Sequence, residues 1–168
     1  GQPEPRGEPD EVCVRAPHAM EGYWQKDDLT RETVVDGWLH TGDMARADAN
    51  GYLFIVDRKK DMIVSGGFNI YPREVEDVLM ADPSVALAAV IGVPDPRWGE
   101  SVMAVVVPKV GATIDPDRLK QLVKAHKGAA HAPKHIEVAA ALPLTALGKL
   151  DKKALRAPYW DPSQRQVG

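Results

Sequence analysis

The first third of the chain alternates apolar and polar residues, which is the pattern of half-buried strands. An Asn50-Gly51 turn signal separates two of the apolar stretches and predicts a β-hairpin. Strands are predicted over residues 11–16, 37–43 and 52–56, and a short helix or turn with a polar cap over residues 28–34. This region contains too few alternating apolar positions to close a core by itself.

The rest of the chain mixes helical and strand patterns. Helices are predicted over residues 73–80, 115–126 and 151–156, and strands over residues 62–64, 84–93, 101–108 and 135–139. Because residues 84–93 are almost continuously apolar, we expect a strand covered on both faces. Asp115 followed by Pro116 is typical of a capped helix start. The order of elements predicts a small α+β domain with helices packed on one sheet.

Residues 57–72 connect these two regions through a charged, then an apolar, then a glycine-rich run. Gly66-Gly67 is predicted to form a turn between a strand and a helix that begins at Pro72. Such a glycine pair can also let a ligand approach the main chain and meet its amide donors. The residue pattern alone favours the ordinary turn.

Asp43 and Arg58 are candidate binding residues, which the predicted hairpin places near its opposite ends. A carboxylate that follows a glycine can accept hydrogen bonds from a vicinal diol such as that of a ribose. A guanidinium offers a planar donor fork to sugar or phosphate oxygens. A turn-capping aspartate and a solvated arginine remain the structural alternatives.

Composition narrows the class of protein further. The 168 residues are 44% hydrophobic, and their net charge of -3 gives no electrostatic basis for binding nucleic acid. A single cysteine, Cys13, excludes an internal disulfide, and the five histidines lack close pairing, so no metal site is predicted. The longest apolar run is about half of the roughly 20 residues that a membrane helix needs. We therefore expect a cytoplasmic protein with no transmembrane segment.

The chain opens on Gly1 with a proline- and glycine-rich stretch and no start methionine. We expect it to be a fragment or a processed form of a longer protein.

Four stretches taken together resemble the adenylate-forming superfamily, which includes acyl-CoA synthetases, nonribosomal peptide synthetase adenylation domains and firefly luciferase. They are residues 37–43 (GWLHTGD), 52–61 (YLFIVDRKKD), 65–76 (SGGFNIYPREVE) and 143–151 (PLTALGKLD). Their order matches the C-terminal region of an acyl-CoA synthetase of the fatty-acid type. The resemblance implies that residues 1–57 end a large N-terminal domain, that residues 58–60 are a hinge, and that residues 61–168 form a small mobile domain.

The resemblance also implies a reaction. A carboxylic acid and ATP give an acyl-adenylate and pyrophosphate, and the thiol of CoA then displaces AMP. Mg²⁺ accompanies the ATP, and its site is expected upstream of this chain, together with the acyl pocket. The chain alone is therefore expected to be inactive.

Site residues carry over position by position from the resemblance. Asp43 matches the aspartate that binds the ribose hydroxyls, and Arg58 the arginine that approaches the same nucleotide. Lys60 matches the hinge position. Lys149 matches the lysine that contacts carboxylate and phosphate oxygens during adenylation. Three further residues match the loop that lines the pantetheine tunnel: Ser65, Gly66 and Gly67.

Two positions leave questions open. Residues 130–133 (AHAP) stand where many relatives have Tyr-Lys-x-Pro, which puts a lysine contact with CoA or a carrier in doubt. Glu100 lies in a loop that resembles one near the family's active face, with an ion pair as the alternative. A carrier-protein-loading adenylation domain, of the nonribosomal peptide or fatty acyl-AMP ligase type, and a non-catalytic interaction module remain alternative functions.

Overall fold

The computed structural model describes residues 7–160, which contain nine strands, four α-helices and one 3-10 helix. The chain divides into two compact units, of which the first ends at Lys60 and the second begins at Asp61.

The first unit is a four-stranded antiparallel sheet with one short helix. Its elements are β1 (Asp10–Val14), α1 (Asp27–Thr33), β2 (Val34–Val35), β3 (Trp38–Ala47) and β4 (Leu53–Arg58), followed by the 3-10 helix Lys59–Asp61. β3 pairs with each of the other three strands. The predicted hairpin is therefore confirmed. The predicted polar cap on α1 is wrong, because Lys26 stands at the cap and no side chain bonds to the helix start.

The first unit buries little apolar surface. Met44 and Ala45 are its buried apolar side chains within the described residues. By contrast, Tyr52, Phe54 and Ile55 are 69%, 58% and 61% exposed. This agrees with the expectation that the region does not close a core by itself.

The second unit is built on a five-stranded sheet. Its elements are β5 (Ile63–Ser65), β6 (Phe68–Ile70), α2 (Pro72–Met80), β7 (Val85–Asp95), β8 (Gly99–Pro108), α3 (Pro116–Lys127), β9 (His135–Val138) and α4 (Lys152–Arg156). The strand order is β6-β5-β8-β7, and β9 pairs with β8 in parallel while the other pairs are antiparallel. The α+β prediction is confirmed.

Both faces of this sheet are covered. Alternate residues of a strand point to opposite faces, so Val90 and Ile91 of β7 enter different apolar clusters. The larger cluster joins the sheet to α2 and α3, through residues such as Leu79 and Leu119. The smaller one packs against Leu155 of α4 and the segment that precedes it. The predicted burial of β7 on both faces is therefore confirmed.

The sequence had predicted that the glycine pair leads into a helix, and this prediction is wrong. Gly66 and Gly67 have φ angles of +57° and +84° and form the two-residue loop of a hairpin between β5 and β6. A hairpin loop of this kind needs a positive φ at both central positions, which glycine adopts without steric cost. Strand β6 was missed because three residues are too few to show an alternating pattern.

No helix among residues 7–160 is long and apolar enough to span a bilayer.

Candidate functional site

Asp43 and Arg58 lie side by side on neighbouring strands. They are register partners in the β3–β4 pair, and Arg58 Nε lies 2.9 Å from Asp43 Oδ1. The prediction of opposite hairpin ends is wrong, because both residues lie at the open end, far from the Asn50-Gly51 turn. The Arg58 side chain is 55% exposed and the Asp43 side chain 36%, so solvent and ligands reach both.

A β-bulge sets this pairing. Ala45 pairs with Ile55, and continuing that register would place Asp43 opposite Asp57. The register instead shifts between Met44 and Ala45, so that Asp43 meets Arg58. The extra residue of a bulge turns a like-charge pair into an ion pair here.

A partly buried carboxylate supports the strand that carries Asp43. Glu11 Oε1 accepts a hydrogen bond from the Gly42 amide at 3.0 Å, while Oε2 lies 2.9 Å from His40 Nδ1 and 3.0 Å from Lys59 Nζ. Burial raises the pKa of Glu11, but the hydrogen bonds from His40, Lys59 and Gly42 outweigh it and hold that pKa below its ordinary value. Sequence reasoning missed Glu11 because nothing near it in the chain indicates these partners.

Cys13 joins the same group of side chains. It is the register partner of His40, and its Sγ lies 3.5 Å from His40 Nδ1. Burial and the negative charges of Glu11 and Asp10 raise the pKa of the thiol. The donor atoms of Glu11, Cys13 and His40 lie within 4.8 Å of one another, close enough to share a metal ion.

Two of the three glycine-loop residues line a groove in the second unit. Its volume is about 330 Å³, and it is lined by Ser65, Gly66, Phe68, Trp98, Val102, Ala129, Ala130, Ala132 and Lys134. Gly67 belongs to the same loop but does not line the groove. The short side chains of the alanines leave the space that larger residues would fill.

Trp98 forms one wall of this groove and was missed by sequence reasoning. The Gly66 amide donates to the Trp98 carbonyl at 3.0 Å, and a Cβ at Gly66 would lie 2.7 Å from the indole Cε3. Glycine at position 66 therefore allows both the loop geometry and the close approach of the ring. The one signal in the sequence was the polar loop that contains Trp98.

Cationic groups surround the Trp98 ring. Arg97 Cζ lies 4.5 Å and Lys134 Nζ 5.7 Å from the ring centroid, distances at which cations and aromatic faces attract each other. Asp95 accepts from Lys134 Nζ at 2.6 Å and from the amides of Arg97 and Trp98. The hydrogen bond from Lys134 lowers the pKa of Asp95, against the effect of burial. The apolar groove is thus bordered by an aromatic ring with two nearby cations, one of them paired with Asp95. Lys134 follows Pro133, whereas the lysine of the Tyr-Lys-x-Pro run precedes its proline.

Glu100 has a structural contact rather than an ion pair. Its Oε2 accepts the Val64 amide at 2.8 Å, and the carboxylate packs against Gly92, where a Cβ would approach it to 3.0 Å. Burial raises the pKa of Glu100, although the Val64 amide and the charge of Arg156 oppose this. The carboxylate therefore holds β5 against the β7–β8 pair, beneath the glycine loop.

Lys149 lies at a tight turn with an exposed side chain. The Thr145 amide donates to the Lys149 carbonyl at 2.7 Å, and Leu144 and Leu150 form a bridge across the turn. Gly148 adopts a φ of +76°, which the turn requires and which glycine permits. The turn fixes the backbone while the ammonium group reaches solvent.

Ion pairs brace the helix that follows this turn. Asp151 caps α4 by accepting the Ala154 amide at 2.9 Å. Lys152 Nζ lies 2.7 Å from Glu76 Oε1 in the interior, and Arg156 pairs with Asp61. Because α4 is held at both its start and its end, the position of Lys149 is fixed by the fold of the second unit.

Lys60 lies in the 3-10 helix Lys59–Asp61, at the boundary between the two units. Its side chain is exposed, and its role as a hinge stays a prediction.

A family of known proteins matches part of the second unit. The model of the family "AMP-binding enzyme C-terminal domain" matches residues 74–149. The matched segment begins within α2, contains β7, β8, α3 and β9, and ends on Lys149.

Individual relatives match nearly the whole chain. The chain is 50% identical to a medium/long-chain-fatty-acid–CoA ligase of Mycobacterium tuberculosis, over 100% of this chain and 31% of the relative. It is 49% identical to a feruloyl-CoA synthase of Amycolatopsis, over 95% of this chain and 32% of the relative. The chain thus spans about a third of the length of these relatives.

The fold is shared with solved structures. The amide bond synthetase McbA of Marinactinospora thermotolerans superposes with a TM-score of 0.87 at 43% identity, over 95% of this chain and 33% of that one. The α+β architecture described above is therefore that of a known structural family.

Proposed function

We propose that this chain is the C-terminal part of an ATP-dependent acyl-CoA synthetase, an acid-thiol ligase that acts on a fatty acid. The observation that carries the proposal is the 2.9 Å pair of Asp43 and Arg58, because it presents a diol acceptor and a planar donor fork together. The similarity to a fatty-acid–CoA ligase and a feruloyl-CoA synthase, over at least 95% of this chain, supports the same activity.

In the first half-reaction a carboxylate oxygen attacks the α-phosphorus of ATP, and the bond to the pyrophosphate oxygen breaks. Asp43 accepts hydrogen bonds from the ribose hydroxyls, and Arg58 donates to the same nucleotide. Lys149 stabilises the negative charge on the carboxylate and phosphate oxygens. Its exposed ammonium group and its braced turn suit a role in which a cation is positioned before the charge develops.

In the second half-reaction the CoA sulfur attacks the acyl carbon, the bond to the AMP oxygen breaks, and AMP leaves. The groove beside Ser65 and Gly66 is largely apolar, which suits the pantetheine arm that carries the thiol. Trp98 and Lys134 add an aromatic wall and a cation at its rim. Gly67 shapes the same loop. Lys60 is the hinge about which residues 61–168 rotate between the half-reactions.

ATP enters as its Mg²⁺ complex in this proposal. Mg²⁺ prefers hard oxygen ligands in octahedral geometry, so the thiol and imidazole beside Glu11 do not fit it. No residue among those described is assigned to Mg²⁺, and its site is expected in the preceding part of the enzyme.

The covalently linked partner is a large N-terminal domain, of which residues 1–57 form the end. Exposed apolar side chains in β4 and directly before it support this, because Tyr52, Phe54 and Ile55 are more than half exposed in the first unit. Such an enzyme works in the cytoplasm, where ATP and CoA are supplied.

A carrier-protein-loading adenylation domain is the second candidate. Ala129, Ala130 and Ala132 of the groove are small, and the lysine of the usual Tyr-Lys-x-Pro run is absent from its expected place. Both functions share the adenylation chemistry and differ in the acceptor thiol. A non-catalytic module would need neither Lys149 on its braced turn nor the cross-strand pair.

Pyrophosphate release by the full-length enzyme tests the proposal. The enzyme is supplied with ATP and with short, medium and long fatty acids or aryl acids, and then with CoA or a carrier protein as acceptor. We expect release with at least one fatty acid and thioester formation with CoA. Thioester formation with the carrier alone would favour the second candidate, and no release with any acid would favour the non-catalytic module.

A further inference from the structure

Three side chains of types that bind metal ions converge in the first unit, none of them assigned to the nucleotide. Cys13 on β1 and His40 on β3 are direct cross-strand partners, and the Cys13 Sγ to His40 Nδ1 distance is 3.5 Å. Glu11, two residues before Cys13 on the same strand, brings its Oε2 to 2.9 Å from the same Nδ1. A thiol, an imidazole nitrogen and a carboxylate oxygen thus point at one small volume.

The spacing suits a tetrahedral ion. With zinc bonds of about 2.3 Å to sulfur and about 2.0–2.1 Å to nitrogen, the sulfur and nitrogen of a tetrahedral site lie about 3.6 Å apart. The observed 3.5 Å between Cys13 Sγ and His40 Nδ1 is already close to this. The carboxylate oxygen, 2.9 Å from the imidazole, must move outwards by a fraction of an ångström, which a glutamate side chain does by rotating.

The donor set selects the kind of ion. Thiolate and imidazole favour zinc and its chemical relatives over Mg²⁺ and Ca²⁺, which take oxygen ligands. Binding needs the Cys13 thiol to lose its proton. It also needs the His40 proton to leave Nδ1, where it bonds to Glu11, for Nε2, so that Nδ1 coordinates the ion. The fourth position is left to water, since His40 is 35% exposed.

We propose that Glu11, Cys13 and His40 form a site for Zn²⁺ or a similar thiophilic divalent ion, which cross-links β1 to β3. The site does not depend on the proposed enzymatic activity.

Lys59 competes with a metal ion for Glu11. Its Nζ lies 3.0 Å from Glu11 Oε2, so its positive charge competes with a metal ion for the same carboxylate oxygen. Removing that charge is expected to strengthen metal binding. A variant that gains affinity cannot be explained by loss of the fold.

Titration of the 168-residue chain with Co²⁺, with Cys13 reduced, tests the site. We expect one equivalent to give the charge-transfer absorption of a thiolate bound to Co²⁺, to be displaced by Zn²⁺ and to withstand excess Mg²⁺. Cys13→Ser and His40→Gln should each weaken binding by more than about tenfold. His18→Gln, at an exposed histidine, is the matched control and should bind as the unaltered chain does.

Lys59→Met should bind Co²⁺ about fivefold more tightly, as expected for removing one partly exposed positive charge. Circular dichroism verifies that each variant is folded. The proposal is overturned if the unaltered chain shows no thiolate absorption or if Lys59→Met does not gain affinity. It is also overturned if Cys13→Ser and His18→Gln bind Co²⁺ with equal affinity.

Discussion

Arg58 Nε lies 2.9 Å from Asp43 Oδ1, across the open end of the β3–β4 hairpin. The Arg58 Nη1 group also lies 3.4 Å from the Thr41 carbonyl, which orients the guanidinium along the strand. Both side chains are solvent-accessible, and exposed ion pairs contribute about 0–1 kcal/mol to stability. The pair therefore presents binding groups more than it stabilises the fold.

Asp43→Asn should weaken ATP use by the full-length enzyme while leaving folding nearly unchanged. The amide keeps the size of the side chain but replaces one acceptor oxygen of the carboxylate and removes its charge. Hydrogen bonds from the ribose hydroxyls are therefore weaker, and we expect the KM for ATP to rise about tenfold. Pyrophosphate release against ATP concentration measures this. Asp28→Asn, in another exposed Asp–Arg pair, is the control. An equal rise in both variants would contradict the nucleotide role of Asp43.

Lys149→Ala should suppress adenylation selectively. The lost cation stabilises charge in the first half-reaction, so pyrophosphate release should fall on the order of 100-fold. Thioester formation from supplied acyl-adenylate should fall far less. Lys153→Ala, at an exposed lysine of α4, controls for net charge. The assignment fails if both half-reactions decline equally.

Lys60→Pro should separate the half-reactions in the opposite direction. Proline restricts φ in the 3-10 helix at the boundary between the units, so a rotation at this residue becomes difficult. Adenylation should persist and thioester formation should slow. Lys60→Ala removes the same side chain without restricting the backbone and should retain both. Unchanged CoA transfer in the proline variant would argue against a hinge here.

Gly66→Ala should impair thioester formation through Trp98. The added Cβ would lie 2.7 Å from the indole Cε3 and would force the ring to shift in the groove. We expect thioester formation to slow on the order of tenfold. Gly111→Ala has a φ of +77° and no atom within 4 Å of its Cβ, so it reports backbone strain alone. If both variants form the thioester at the same rate, contact between Trp98 and the thiol substrate is not needed for the reaction.

Asp82 should make the second unit sensitive to acid. Two hydrogen bonds from Arg118, at 2.6 and 2.7 Å, outweigh burial and, together with Ser84, lower the Asp82 pKa from 3.8 to about 2. Because the folded-state pKa lies below the unfolded one, this stability is present above about pH 4 and is lost as the pH falls towards 2.

Asp82→Asn should therefore lower the free energy of unfolding by about 2 kcal/mol at neutral pH. The difference from the unaltered chain should shrink between pH 4 and pH 2, as measured by urea unfolding at each pH. Asp117→Asn, in an exposed pair with Lys120, should change stability little at any pH. A difference that stays constant with pH would contradict the proposed titration.

The sequence predicted most elements because their signals are local. Asp115 caps α3 by accepting the amides of Asp117 and Arg118, as its position before Pro116 predicted. The Asn50-Gly51 signal likewise marked the β3–β4 hairpin correctly. Strand β6 was not predicted because it is only three residues long. The Gly66-Gly67 loop was therefore placed between a strand and a helix instead of between two strands.

The sequence by itself determined the α+β class, the elements and the motif residues, since residue periodicity and turn chemistry act over a few positions. Tertiary structure decided which of those residues meet. One bulge residue selects Arg58 rather than Asp57 as the partner of Asp43. Cross-strand register brings Cys13 to His40, 27 positions away, and Gly66 lets Trp98 approach. Register and close packing depend on the whole sheet, so no local pattern encodes them.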